Sequence, residues 1–179
     1  VVVKGTAYWM GPDNFYRWQG GNVEVVPSNS SGETTLLNYI FKNINRAQAY
    51  KSFAWYNQRF DEIWFHYPSE GSNELDRIAR FHVTDQHWTP DEMDRLAAEY
   101  PAINLQYPRL IDSLGNFFRH ETGNDDDVNP MAWSLTSNNR DTGTNNVLSS
   151  GIVPDSVQTG DISFKIDAFS YPQSAQPKN

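Results

Sequence analysis

The chain has 179 residues, enough for one domain or two small ones with a core of their own, and it has no cysteine, which excludes disulfides, thiol catalysis and thiolate metal sites. Its net charge of −8, from 22 acidic and 14 basic residues, is opposite to the basic footprint of a protein that grips phosphates. Aromatic residues make up 14%, an excess that suits packed sheets and subunit interfaces, and no apolar run approaches the ~20 residues that cross a bilayer.

The start, Val1-Val2-Val3-Lys4, lacks the apolar core of a signal peptide and has no initiator methionine, so a soluble piece of a longer polypeptide is expected. Ala7-Tyr8-Trp9-Met10, Phe15-Tyr16-Arg17-Trp18 and Val23-Glu24-Val25-Val26 are aromatic and β-branched runs divided by Gly11-Pro12-Asp13-Asn14 and Gly20-Gly21. Such spacing predicts an antiparallel meander. From Thr34 to Ile44 the period changes, with Leu36, Leu37, Ile40, Phe41 and Ile44 on one helical face, and a short helix is expected.

Lys51 to Tyr56 and Glu62 to Tyr67 form a predicted hairpin around a five-residue loop, Asn57 to Asp61. The second strand is bulky and mostly apolar on both faces, which predicts a sheet covered on both sides. Arg77 to Val83 alternates Ala79, Phe81 and Val83 with Arg80 and His82, the pattern of a half-exposed strand. Thr89-Pro90-Asp91-Glu92 matches a capping box with proline at the first helical position, and Trp88 with Met93 matches its hydrophobic staple. A helix over Thr89 to Tyr100, ended by Pro101, is expected there.

Strands resume near Leu110 and over Asn116 to His120, and stop at Gly123-Asn124-Asp125-Asp126-Asp127. Asp161 to Phe169 alternates strictly and predicts a further strand, with a disordered tail after it. The expected division is blades over 1–130, a C-terminal β unit over 131–172 and a tail over 173–179. Asn14-Phe15-Tyr16-Arg17-Trp18 and Asn116-Phe117-Phe118-Arg119-His120 resemble each other at a spacing that fits about two propeller blades.

Candidate chemistry is sparse. Asp125-Asp126-Asp127 with Asn124 and Asn129 offers oxygen ligands for calcium but lacks EF-hand spacing, and a solvated loop is the simpler reading. Asp61, Glu62 and Asp76 could supply a carboxylate pair for glycoside hydrolysis. His66, His82, His87 and His120 show no metal-binding spacing, and there is no nucleophile elbow or phosphate loop. Arg46, Lys51 and Arg59 are too scattered for a DNA track. No catalytic, cofactor or metal residue is therefore assigned.

Several phrases in order carry a family resemblance: Tyr8-Trp9-Met10-Gly11, Asp13-Asn14-Phe15-Tyr16, and Phe60 to Ser69; then Ser72-Asn73-Glu74, Asp76-Arg77, and Gly115 to Gly123; and last Val153-Pro154-Asp155 and Tyr171-Pro172. Together they resemble the tail nozzle, or packaged-DNA stabilisation, proteins of short-tailed phages. The resemblance implies a β-propeller body with an attached β unit, in a ring, a hexamer by family resemblance, below the portal adaptor and next to tail fibre, spike or needle proteins. It also implies a virion component that retains packaged DNA and passes it at ejection, without cofactor or enzymatic activity and with no membrane at rest. The expected helix over Thr89 to Tyr100 departs from the family pattern and reads as a peripheral docking element or, equally, as a cap on its own blade. The runner-up is a carbohydrate-recognising or glycan-cleaving tail component, for which an exposed aromatic line beside paired carboxylates would speak; a third reading is a generic β-sandwich interaction module.

Overall fold

The computed structural model describes residues 1–27, 33–99 and 106–123, with the short pieces 125–126 and 129–130 and positions 163 and 165. The fold is mainly β and antiparallel, as expected, and divides into two compact units, Val1–Asn124 and Asp125–Asn179.

The first sheet is the predicted meander with one strand added at its start: β1 (Val2–Val3), β2 (Thr6–Met10), β3 (Phe15–Gln19) and β4 (Asn22–Val25), in that order. Two of its turns are two-residue hairpins, Lys4-Gly5 and Gly20-Gly21, with positive φ at both central positions, the requirement that selects glycine in turns matching strand twist. Gly11 has a different reason: a Cβ there would lie 2.5 Å from the ring of Tyr16. Helix α1 (Glu33–Lys42) falls within one or two residues of the predicted segment. Ile40, Phe41 and Ile44 are buried against the sheets, with Leu37 packed beside them.

The second sheet runs in chain order through β5 (Phe53–Asn57), β6 (Glu62–Tyr67), β7 (Arg77–His82) and β8 (His87–Glu92). Asn57 pairs with Glu62, which leaves four loop residues where five were expected. Along β6 every residue from Ile63 to Tyr67 is buried, as a strand apolar on both faces requires. Ile63, Phe65, Ala79, Phe81 and Trp88 face the first sheet and meet Tyr8 and Phe15; the Phe15 ring lies 4.7 Å from Phe65 and 4.4 Å from Trp88. On the other face Trp55, Trp64 and Ile78 pack with Leu110. Leu110 belongs to a third sheet, ordered β11 (Phe117–Arg119), β10 (Arg109–Ile111), β9 (Ala97–Glu99). The second sheet is thus laminated between the other two.

The structure corrects two expectations. β7 is not half exposed, because Ile78 is fully buried by the third sheet and Arg80 lies over the Trp64 ring at 5.5 Å. The larger correction concerns Thr89 to Tyr100, where β8 and β9 replace the helix. Phe81 and Trp88 are cross-strand partners at 4.8 Å, and ion pairs Arg77–Glu92 and Arg80–Asp91 run along the same ladder. These contacts outweigh a local capping signal worth ~1 kcal/mol. Trp88 and Met93, the supposed staple, pack on opposite faces of the second sheet. Pro90 is tolerated because β8 is an edge strand.

In the second unit β12 (Asp125–Asp126) pairs with β13 (Asn129–Pro130), so part of the acidic run expected as loop is strand. Of Asp161 to Phe169 only Ser163 and Lys165 are described, both exposed and outside any strand; the rest of that predicted strand, the tail and the expected 131–172 unit lie outside the described residues.

Candidate functional site

Three places on the first unit could engage something else. The first is the outer face of the first sheet. Register places Val2, Ala7 and Trp18 with Val23 in one row and Trp9, Tyr16 and Val25 in the next, all on the side away from Phe15. Trp9 and Tyr16 stack at 5.9 Å. Val2 is 71% exposed, Val23 61%, Val25 49%, Trp18 46% and Trp9 37%. Single exposed apolar side chains are ordinary, but a contiguous sheet face of them marks a contact surface. Its carboxylate neighbour Asp13 accepts the Tyr16 hydroxyl at 2.7 Å, while Glu24 is paired with Arg17 across the strands. The face is aliphatic and aromatic, and among the described residues no pair of carboxylates lies beside its rings.

The second place is a cleft of about 480 Å³ where α1 meets the ends of β6, β7 and β8, lined by Tyr39, Tyr67, Glu70, Arg77, Asp91 and Glu92. Burial pushes the Tyr67 hydroxyl up to about 12 against the opposing pull of Arg77. Asp91 is held by Arg80 and Glu92 by Arg77. Of the carboxylates singled out in the sequence, Asp61 and Glu62 are chain neighbours but engage opposite faces of the second sheet, through Tyr56 and Trp64 respectively, and Asp76 lies apart from both. Asp61 precedes β6 and Glu62 opens it, whereas Asp76 precedes β7 just beyond the far end of that strand, some six residues or ~20 Å from Glu62. That exceeds the ~5–9.5 Å needed between glycosidase carboxylates. Each has structural work: Glu62 accepts the Trp64 indole N–H, and Asp76 accepts the Ser69 amide and hydroxyl. Burial would raise Asp61, but hydrogen bonds from Thr84, Tyr56 and Lys4 and the Lys4 charge outweigh it and hold its carboxyl at about 2.

The third place is the β7–β8 hairpin end, and here sequence spacing was misleading. His82 and His87 are cross-strand partners whose rings stack at 5.1 Å and 9°, and Asp85 sits in the turn between them. Ligand atoms of the three residues lie within 4.8 Å of one another. The turn is anchored on all sides: the Val83 amide donates to the Asp61 carbonyl, Thr84 Oγ1 to Asp61 Oδ2 and the Gln86 amide to the His82 carbonyl. Gln86 adopts a φ of 55°, the left-handed residue that closes the four-residue loop. The signal that could have found this group is a histidine at each end of a hairpin turn containing an aspartate, which a helix-based ligand template does not test.

His66 and His120 belong elsewhere. His66 is fully buried in β6, accepts the Trp55 indole N–H at 3.0 Å and stacks on Phe53 at 4.5 Å. His120 follows β11 and accepts from Arg95. Arg46 donates to the carbonyls of Pro12 and Phe41, Lys51 to Asn73 and Glu74, and Arg59 to the Glu121 carbonyl, so the three cations serve loops and form no track. Asn124 and Asp127 of the acidic run lie outside the described residues. No protein-family model matches the chain, and no curated protein matches it in sequence.

Proposed function

We propose that this chain is a structural segment of a short-tailed phage tail of the nozzle kind, whose laminated sheets are blades of a propeller-like body. In that reading copies assemble as a ring below the portal adaptor, and the ring retains packaged DNA and conducts it at ejection. The observation that carries it is the uncovered apolar face of the first sheet, since the same kind of face is buried twice over within this chain. A face of valines and stacked aromatics without paired carboxylates fits a further protein sheet better than a sugar, which places the glycan reading second. The charge of −8 supports a passive conduit, because attraction to phosphates would slow sliding.

Two results are expected. In sedimentation at high concentration the chain self-associates through the outer face, and Trp9→Lys with Trp18→Lys abolishes this while moving the unfolding midpoint little, as surface changes do. A monodisperse monomer for the unaltered chain would remove the main support. Titration with duplex DNA at physiological salt should show no sub-micromolar binding, since non-specific contacts give ~10⁻⁴ to 10⁻⁶ M even for basic proteins. Tighter binding would contradict the conduit.

A further inference from the structure

We propose that the hairpin end formed by His82, Asp85 and His87 is a binding site for a divalent transition-metal ion of the zinc class. Two imidazoles and one carboxylate are a donor set suited to such ions, and leave at least one coordination position to water. The spacing is close to what coordination needs. His82 Nδ1 lies 3.4 Å from Asp85 Oδ2, and a tetrahedral site with bonds of ~2.0–2.2 Å has edges of about 3.3–3.6 Å. The wider spacing of the set, up to 4.8 Å, closes by rotation of exposed side chains: Asp85 and His87 are exposed and His82 half-buried.

His82 Nδ1 accepts the Asp85 amide at 3.0 Å, so that nitrogen directs its lone pair into the turn. Nδ1 therefore already presents a lone pair, and a cation takes it at the expense of one hydrogen bond at a solvent-exposed turn. The backbone that holds the donors is fixed independently of them by Asp61, Thr84 and the Gln86 to His82 bond, so binding need not order a loose loop. Neither of the remaining histidines shares the site: His66 is sealed between sheets and His120 is engaged with Arg95.

The test is calorimetric titration of the full 179-residue chain, without an affinity tag, with Zn²⁺. One saturable equivalent per chain is expected. His87→Gln and, separately, Asp85→Asn should weaken it by about tenfold or more, since even outer-shell changes at metal sites cost that much, whereas His120→Gln leaves it unchanged. On the unaltered chain, Zn²⁺ should shift the imidazole NMR signals of His82 and His87 and leave those of His66 in place, a readout that depends on no variant folding. Absence of saturable binding overturns the proposal. So does binding that survives His82→Gln with His87→Gln, or imidazole shifts confined to His120.

Discussion

Trp64→Ala should lower the unfolding free energy by roughly 3–5 kcal/mol, the range for deleting a large buried aromatic side chain. Trp64 is 3% exposed at the centre of the second sheet. Its ring packs against Trp55 at 4.9 Å, underlies the Arg80 guanidinium and shares a cluster with Ile78 and Leu110 of two different strands. Both flanking sheets constrain β6, so the backbone has little freedom to collapse into the vacated volume, and the cost falls toward the upper part of the range. Loss of the indole also leaves Glu62 without the donor it now accepts from. Chemical denaturation of the variant checks this, and an unmoved midpoint would refute an interior position for β6.

Acidification should destabilise the fold through His66, beginning as pH falls below about 6.5. Burial, reinforced by the nearby charges of His120 and Arg95, lowers its folded-state value from 6.5 to about 3. The charged form is disfavoured in the native state and not in the unfolded one. The stability contribution of neutral His66 is therefore fully present above about pH 6.5 and is lost progressively as pH falls toward 3. At roughly pH 4.5 that loss amounts to about 2–3 kcal/mol, at ~1.4 kcal/mol per unit. Asp61, held at about 2, loses its contribution only below 3.8, and Glu121, raised by burial, acts in the opposite sense. Comparison with His66→Gln isolates the histidine, since glutamine can still accept from Trp55 and does not titrate. Denaturation midpoints measured from pH 7 to about 4.5 should fall steeply for the unaltered chain and less for the variant. Parallel slopes would show that His66 is not the group responsible.

The strands were legible in the sequence wherever a two-residue period or a double-sided apolar run met glycine-bearing turns, as from Tyr8 to Val25 and from Phe53 to Phe81. Helix α1 was legible for the same reason at a different period. Thr89-Pro90-Asp91-Glu92 misled because a capping box is local grammar, while the ladder from Phe81–Trp88 to Arg77–Glu92 is settled by residues seven to fifteen positions away. The resembling segments Asn14 to Trp18 and Asn116 to His120 both contain strand, but one is an inner strand and the other an edge strand, and Phe15 is fully buried where Phe117 is 76% exposed. The histidine pair was invisible for a related reason: pairing across a hairpin, rather than helical spacing, makes His82 and His87 neighbours.

Pro90 has an effect on how such molecules can crowd together. β8 is an open margin of the second sheet, the kind of border along which unrelated chains zip into fibrils. At Pro90 an incoming strand finds no amide to accept from, and beside it the side chains of Asp91 and Glu92 are tied to Arg80 and Arg77 across the ladder. Growth by adding strands is disfavoured at that margin. Crowded copies are thereby turned away from the endless ribbon that an unguarded margin would seed.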